Sequence, residues 1–392
     1  MFELNNDQRL YFGLNPVLPS WEKLNFKGDA LRPDSIIYYD GNIIKRHIIS
    51  TDLKYEESQY NEVTKNKNIL LPKTEKGKER KLTPAVLEKC RPIKTYCRIK
   101  YDRSIIIGSH TTQRTFYNSE FDNFGETQTD SIRDIVDNYI ATCPSKYINE
   151  ITEFNLADRK NYKYKAGDFF RFKINRKKYG FGRILLDINK IRKQKLIKEN
   201  HGFFNLFGPA VLIKLYAILS EKKELEIEEI KRHISLPACN IMDNHIFYGD
   251  YEIIGNKKLE ENELDFPISY GRRNDQNGKD YVYFQWGLIH LELHLTEFSK
   301  YLYDDRISLK LNPYKNSAIG FYPSYGTNDI KSALAGNNVY NTSTDWYTKF
   351  DLRSPENENI KKEIMIKFGL NPELNYIENS KLANAKNFFE VL

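Results

Sequence analysis

The sequence predicts an α+β fold, with a strongly bent antiparallel sheet or small barrel at its centre and flanking helices. Three observations predict it. Short β-branched and aromatic runs recur between turn residues from Ser35 to Leu295. Helical spacing of apolar positions is confined to a few segments, chiefly Asp130–Ala141 and Asn359–Phe368. Two glycines, Gly180 and Gly182, interrupt a strand-like run as they would at a barrel corner. At 392 residues the chain has room for two or three domains. The texture divides it into an N-terminal α+β region (1–157), a β-rich domain (158–300) and a C-terminal loop and helical extension (301–392).

Asn6–Tyr11 reads as a short helix stopped by Phe12-Gly-Leu-Asn-Pro16, a string that recurs as Phe368-Gly-Leu-Asn-Pro372. Glycine suits the left-handed residue just past a helix, and Asn-Pro prevents continuation, so both copies predict the same cap. Ser35–Tyr39 and Ile43–Ile49 around Asp40-Gly41-Asn42 form a hairpin signal. Tyr55–Arg80 is a helix or strand followed by an exposed loop. Strands are expected at Ile93–Lys100, Ser104–Ser109 and Arg114–Phe116, and Ile132, Ile135, Val136, Tyr139 and Ile140 share one helix face. Phe169–Ile174 and Tyr179–Leu186 read as an antiparallel pair. Pro209–Ser220 is apolar on both faces, an interior strand or a buried helix, and Glu224–Ile234 is helical or irregular. Further strands are expected at His245–Tyr248, Glu252–Ile254, Phe266–Tyr270, Tyr281–Trp286 and Leu288–Leu295. Phe298–Tyr303 continues as a helix, Asn312–Gly336 is a loop region, and Asn359–Phe368 and Ser380–Phe389 are helices.

An apolar fraction of 40% with 29% charged residues excludes wholesale disorder. No apolar run is long enough to span a bilayer, and Met1–Leu10 lacks the basic flank of a signal peptide, so a cytoplasmic protein is expected. Four scattered cysteines, Cys90, Cys97, Cys143 and Cys239, match neither a disulfide scaffold nor a zinc spacing. Aromatic content is high at 14%, led by 27 tyrosines. Such half-buried amphipathic rings suit core margins or a binding face.

The net charge of +7 is uneven. Residues 158–200 carry 15 Lys and Arg against 4 acids, whereas Thr115–Leu156 carries 8 acids and 2 bases. The basic block could face an acidic protein partner, form a solvated face or, as a third functional reading, bind nucleic acid. No zinc finger, RNP motif or heptad-backed basic region accompanies it.

No nucleophile elbow, phosphate loop or dinucleotide fingerprint occurs. The best metal candidate is His290-Leu-Glu-Leu-His294. On a strand, His290, Glu292 and His294 face one side and Leu291, Leu293 and Leu295 the core. Tyr270-Gly-Arg272-Arg273 could grip a carboxylate or phosphate bidentately, and Trp286-Gly287 suggests a bend beside a large ring.

Gly167-Asp-Phe-Phe-Arg-Phe172 followed by Tyr179-Gly-Phe-Gly-Arg-Ile-Leu185 resembles the opening hairpin of the immunity protein 26 family of bacterial polymorphic-toxin systems. Tyr283–Ile289 resembles that family's closing strand, so the resemblance spans about Tyr164 to Leu295. It implies a protein that binds and neutralises a cognate toxin, with no cofactor and no chemistry of its own. Related sequences are sometimes labelled phosphotriesterase-like. The metal-dependent barrel enzymes of that name need a His-x-His pair, and here the histidines are four apart. The leading expectation is therefore an immunity protein occluding a toxin's active site, with Tyr179, Arg183, Tyr270, Arg272, Arg273 and Trp286 as candidate partner-binding residues. The alternative from another class is a metal-dependent hydrolase using His290, Glu292 and His294.

Overall fold

The computed structural model describes residues 2–119, 131–206, 208–274, 280–302, 318–319, 325–340 and 351–391. Among them the chain forms two compact units: residues 1–162 with the short segments 173–177 and 248–250, and the remainder. The acids from Glu120 to Asp130 and residues 312–317 and 320–324 of the expected loop lie outside the described residues.

The first unit is an antiparallel sheet. Its strands are β1 (Glu22–Phe26), β2 (Ser35–Asp40), β3 (Ile43–Ser50), β4 (Tyr55–Lys65), β5 (Ile69–Leu70), β6 (Arg80–Lys81), β7 (Ile93–Ile99), β8 (Ile105–Ser109) and β9 (Thr115–Asn118). The main order is β1-β2-β3-β4-β7-β8-β9, with β5 and β6 branching from β4. Alternation along β2 sends Ile36 and Tyr38 to one core and Ile37 and Tyr39 to a second. The first core is covered by the helices Ile132–Ala141 and Tyr147–Leu156, which bury Val136, Tyr139, Tyr147 and Ile151. Ser131 starts the first of these helices through a capping box with Asp134. The ambiguous segment after Tyr55 resolves into an 11-residue strand, β4, and a polar loop.

The second unit holds two further sheets. One contains β10 (Asp168–Lys173), β11 (Tyr179–Asp187), β12 (Ala210–Leu215), β13 (Cys239–Met242) and β14 (Tyr251–Asn256), in the order β13-β12-β11-β10-β14. The other contains β15 (Ile268–Asn274), β16 (Asp280–Trp286), β17 (Ile289–His294) and β18 (Ala318–Ile319), in the order β17-β16-β15-β18. The apolar run after Pro209 is the interior strand β12, buried at every position.

The expectation of a small barrel is corrected. Both sheets are open among the described residues, because the edges β13 and β14 pair with nothing that would close the ring. Gly182 serves packing instead. A Cβ on Gly182 would stand 2.3 Å from the Phe170 ring, so glycine lets that ring lie flat on the neighbouring strand.

Four further expectations change. His245–Tyr248 is not a strand, since Asn244–Phe247 is a helical turn started by Asp243, whose carbonyl accepts from the amides of Ile246 and Phe247. The described part of Phe298–Tyr303 forms turns, and Thr327–Leu334 is helical. In place of a helix over Ser380–Phe389, one helix covers Tyr376–Leu382 and a separate helical turn covers Phe388–Val391.

One core joins β15, β16, β17 and the C-terminal helices. Phe266, fully buried, stands 4.8 Å from Tyr376 and 4.9 Å from Phe388, both edge-on. The Tyr376 hydroxyl accepts the Leu288 amide at 3.0 Å. The C-terminal segment thus completes the hydrophobic interior of the β-rich unit. None of the four cysteines is in a disulfide. No helix among the described residues is long and apolar enough to cross a membrane.

Candidate functional site

Register places the polar row of β17. Opposite residues of an antiparallel pair share a face, and Tyr281 pairs with His294, Tyr283 with Glu292 and Gln285 with His290. The intervening pairs, Val282 with Leu293 and Phe284 with Leu291, face the core. The alternation read from the sequence is therefore the structure's own. The row does not converge on a metal, however. His290 Nε2 lies 3.3 Å from Glu292 Oε1, with the Tyr283 ring stacked on the imidazole at 5.8 Å. His294 turns away, its Nδ1 at 2.7 Å from Thr296 Oγ1 and its ring edge-on to Tyr281. Among the described residues no group of three or more His, Cys, Asp and Glu could hold a metal ion. The metal-dependent hydrolase alternative has no support in this geometry.

A histidine that the sequence reading missed completes the neighbourhood. His201 is 2% exposed, and its ring centre lies 5.1 Å from that of His290. Its Nδ1 accepts the Phe203 amide at 3.1 Å, which leaves the proton on Nε2. That Nε2 faces the backbone of Gly287 and Leu288 without completing a hydrogen bond. Burial, reinforced by the adjacent His290, pushes the His201 pKa down to about 3, so this ring is neutral at ordinary pH. Both imidazoles line a cleft of about 550 Å³ together with Glu292, Lys195, Lys198 and Lys386. Its apolar lining includes Leu196, Ile197, Leu288 and Leu291.

The predicted partner-binding residues divide into buried and accessible. Arg183 is fully buried. Its guanidinium pairs with Glu263, donates to the carbonyls of Lys257 at 2.5 Å and Lys258 at 3.1 Å, and lies 4.5 Å from the Phe169 ring centre. Tyr270 is equally buried and donates to the Lys300 carbonyl at 2.9 Å. Both side chains tie the interior together. Tyr179 is half-buried at the start of β11, bridging to Ser220. Trp286 is half-buried against Tyr376, at 5.2 Å between rings, where Gly287 turns the chain into β17. Arg272 is exposed on β15; Arg273 is next to it there, and its side chain lies outside those described.

Part of the basic block is tied down by the same route. Arg171 forms a two-pronged pair with Glu252 at 2.9 and 2.7 Å. Lys173 pairs with Glu150, and Arg176 donates to the Tyr139 carbonyl at 2.7 Å and to Thr142 at 2.9 Å. Arg192 caps the carbonyls of Phe203, Leu206 and Gly208. With Arg183, these five cations are structural ties, whereas Arg159, Lys160, Lys163, Lys165, Lys177, Lys190 and Lys193 stay exposed; nothing in this arrangement specifically supports the nucleic-acid reading. Lys195 and Lys198 remain exposed, on the cleft.

No curated protein and no solved structure matches this chain. A family model does match, across β10 to β15 and stopping short of the Tyr283–Ile289 strand: residues 165–280, just under a third of the chain, match the family Immunity protein 26.

Proposed function

We propose that this chain is an immunity protein that binds a cognate bacterial toxin in the cytoplasm and neutralises it by covering the toxin's active site. The observation that carries the reading is the Immunity protein 26 match, which falls on the five-stranded sheet and its continuation into β15. Occlusion requires a rigid face with a few large anchors, and a sheet backed by a closely packed aromatic core supplies rigidity. Tyr179, Arg272, Arg273 and Trp286 are the proposed anchors, since Tyr and Trp bring contact area and Arg brings bidentate pairing. Arg183 and Tyr270 would act indirectly, by holding the strands that present them. The role is stoichiometric binding, without a cofactor.

Co-expression tests this reading. The toxin encoded beside the gene, produced in a sensitive host, should kill cells alone and spare them when this chain is present, and the two should co-purify. Killing that persists despite soluble, folded chain, with no complex on a sizing column, would refute it.

A further inference from the structure

We propose that the cleft formed by the Lys195–His201 segment, β17 and the Ala383–Lys386 segment receives an acidic peptide segment of a protein partner. Lys198 and Lys386 would pair with its carboxylates. The inference rests on the partner-binding reading above and names the chemistry that this part of the surface selects.

Two observations converge on it. The first is charge: three lysines on the cleft face a single carboxylate, Glu292, which itself sits 3.3 Å from an imidazole of His290. A cavity lined mainly by one sign of charge concentrates ligands of the other. The second is the apolar lining of Leu196, Ile197, Leu288 and Leu291. A bare oxyanion would leave that lining wet, whereas a peptide alternating acidic and aliphatic side chains covers lysines and lining together. About 550 Å³ accommodates several side chains.

The three segments that build the cleft are far apart in sequence and lie within one unit. Lys198 and Lys386 are exposed, so reversing them leaves the core intact. Lys195 and Asn384 have φ of +53° and +49° and are better left unaltered.

The experiment uses the full chain and three probes: a labelled peptide of alternating Leu, Glu and Asp, its Lys and Arg counterpart, and inorganic phosphate. The acidic peptide should bind, and binding should weaken at least roughly tenfold in Lys198→Glu/Lys386→Glu and fall with added salt. It should also shift the ring signals of His201 and His290 in histidine-selective nitrogen spectra. The basic peptide should not bind, and phosphate should not displace the acidic one. No binding of the acidic peptide, binding unaltered in the double variant, or displacement by phosphate would each overturn the proposal. Those outcomes leave the toxin co-expression result untouched, and failure of co-expression leaves the peptide result readable.

Discussion

The two copies of Phe-Gly-Leu-Asn-Pro make the same cap in different surroundings. In the first unit the Leu14 amide reaches back to the Arg9 carbonyl and the Gly13 amide to Leu10; in the second, Leu370 reaches Met365 and Gly369 reaches Ile366. Gly13 and Gly369 have φ of +65° and +74°. The pattern is a helix-terminating motif that five residues specify locally. Beyond the cap the two copies part. The Asn15 carbonyl accepts from Arg46, which with Arg9 flanks buried Glu57, so the first copy abuts a charged network. Asn371 instead exchanges backbone hydrogen bonds with the Asn379 amide, at 2.9 Å each way, in a neutral network. Identical sequence thus sets identical local geometry, while chain-distant partners set how much each position matters.

The largest break in that comparison is Glu57→Leu. It strips the shared counter-charge from Arg9 and Arg46, and should cost about 3–5 kcal/mol. Hydrogen exchange should show faster amides across β2, β3, β4 and β7 with little change in the second unit. Asn379→Ala is the neutral counterpart. It removes the side-chain partners of the Asn371 amide and the Leu374 carbonyl and should cost about 2–3 kcal/mol, read in the C-terminal amides.

Acid should separate the units next. Burial lowers His201 to about 3 and His47 and His110 each to about 4, all below the ordinary 6.5. A depressed histidine stays neutral when folded while the unfolded chain takes up a proton. Stability is therefore full above about pH 6.5 and falls as the pH drops toward 4, by up to about 1.4 kcal/mol per pH unit for each histidine. Urea midpoints between pH 7 and 5 should fall, and His201→Gln should flatten that dependence for the second unit alone.

The two glycines give the finest contrast. Alanine at either position meets the strained left-handed backbone, at about 1 kcal/mol. At Gly369 nothing lies within 4 Å of the new Cβ, whereas at Gly13 it would stand 2.9 Å from Ile151 Cγ1 and 3.1 Å from Thr95 Cγ2. Gly13→Ala should therefore cost about 1–2 kcal/mol more than Gly369→Ala, measured by denaturation. Equal costs would mean that the cap alone decides.

The same division between local and distant causes explains what could be read from sequence. The β2–β3 hairpin, β12 and the alternation in β17 arise from period-two patterns within a few residues. Tyr147–Leu156 was legible but missed: Tyr147, Ile151 and Phe154 stand at helical spacing among weak helix formers. Asn244–Phe247 carries strand-prone Ile and Phe, and its local turn onto Asp243 overrides that preference. Arg183 looked like a surface anchor because its partner Glu263 is 80 residues away. The cleft was hidden for the same reason, since His201, His290 and Lys386 meet only in the folded chain.

The most direct test of the functional account is a titration of the purified neighbouring toxin with this chain, following residual toxin activity. Stoichiometric occlusion predicts a linear fall that ends near one equivalent and full recovery of intact toxin after the complex is denatured and separated. Inactivation by a small fraction of an equivalent, or activity unchanged at excess, would contradict it.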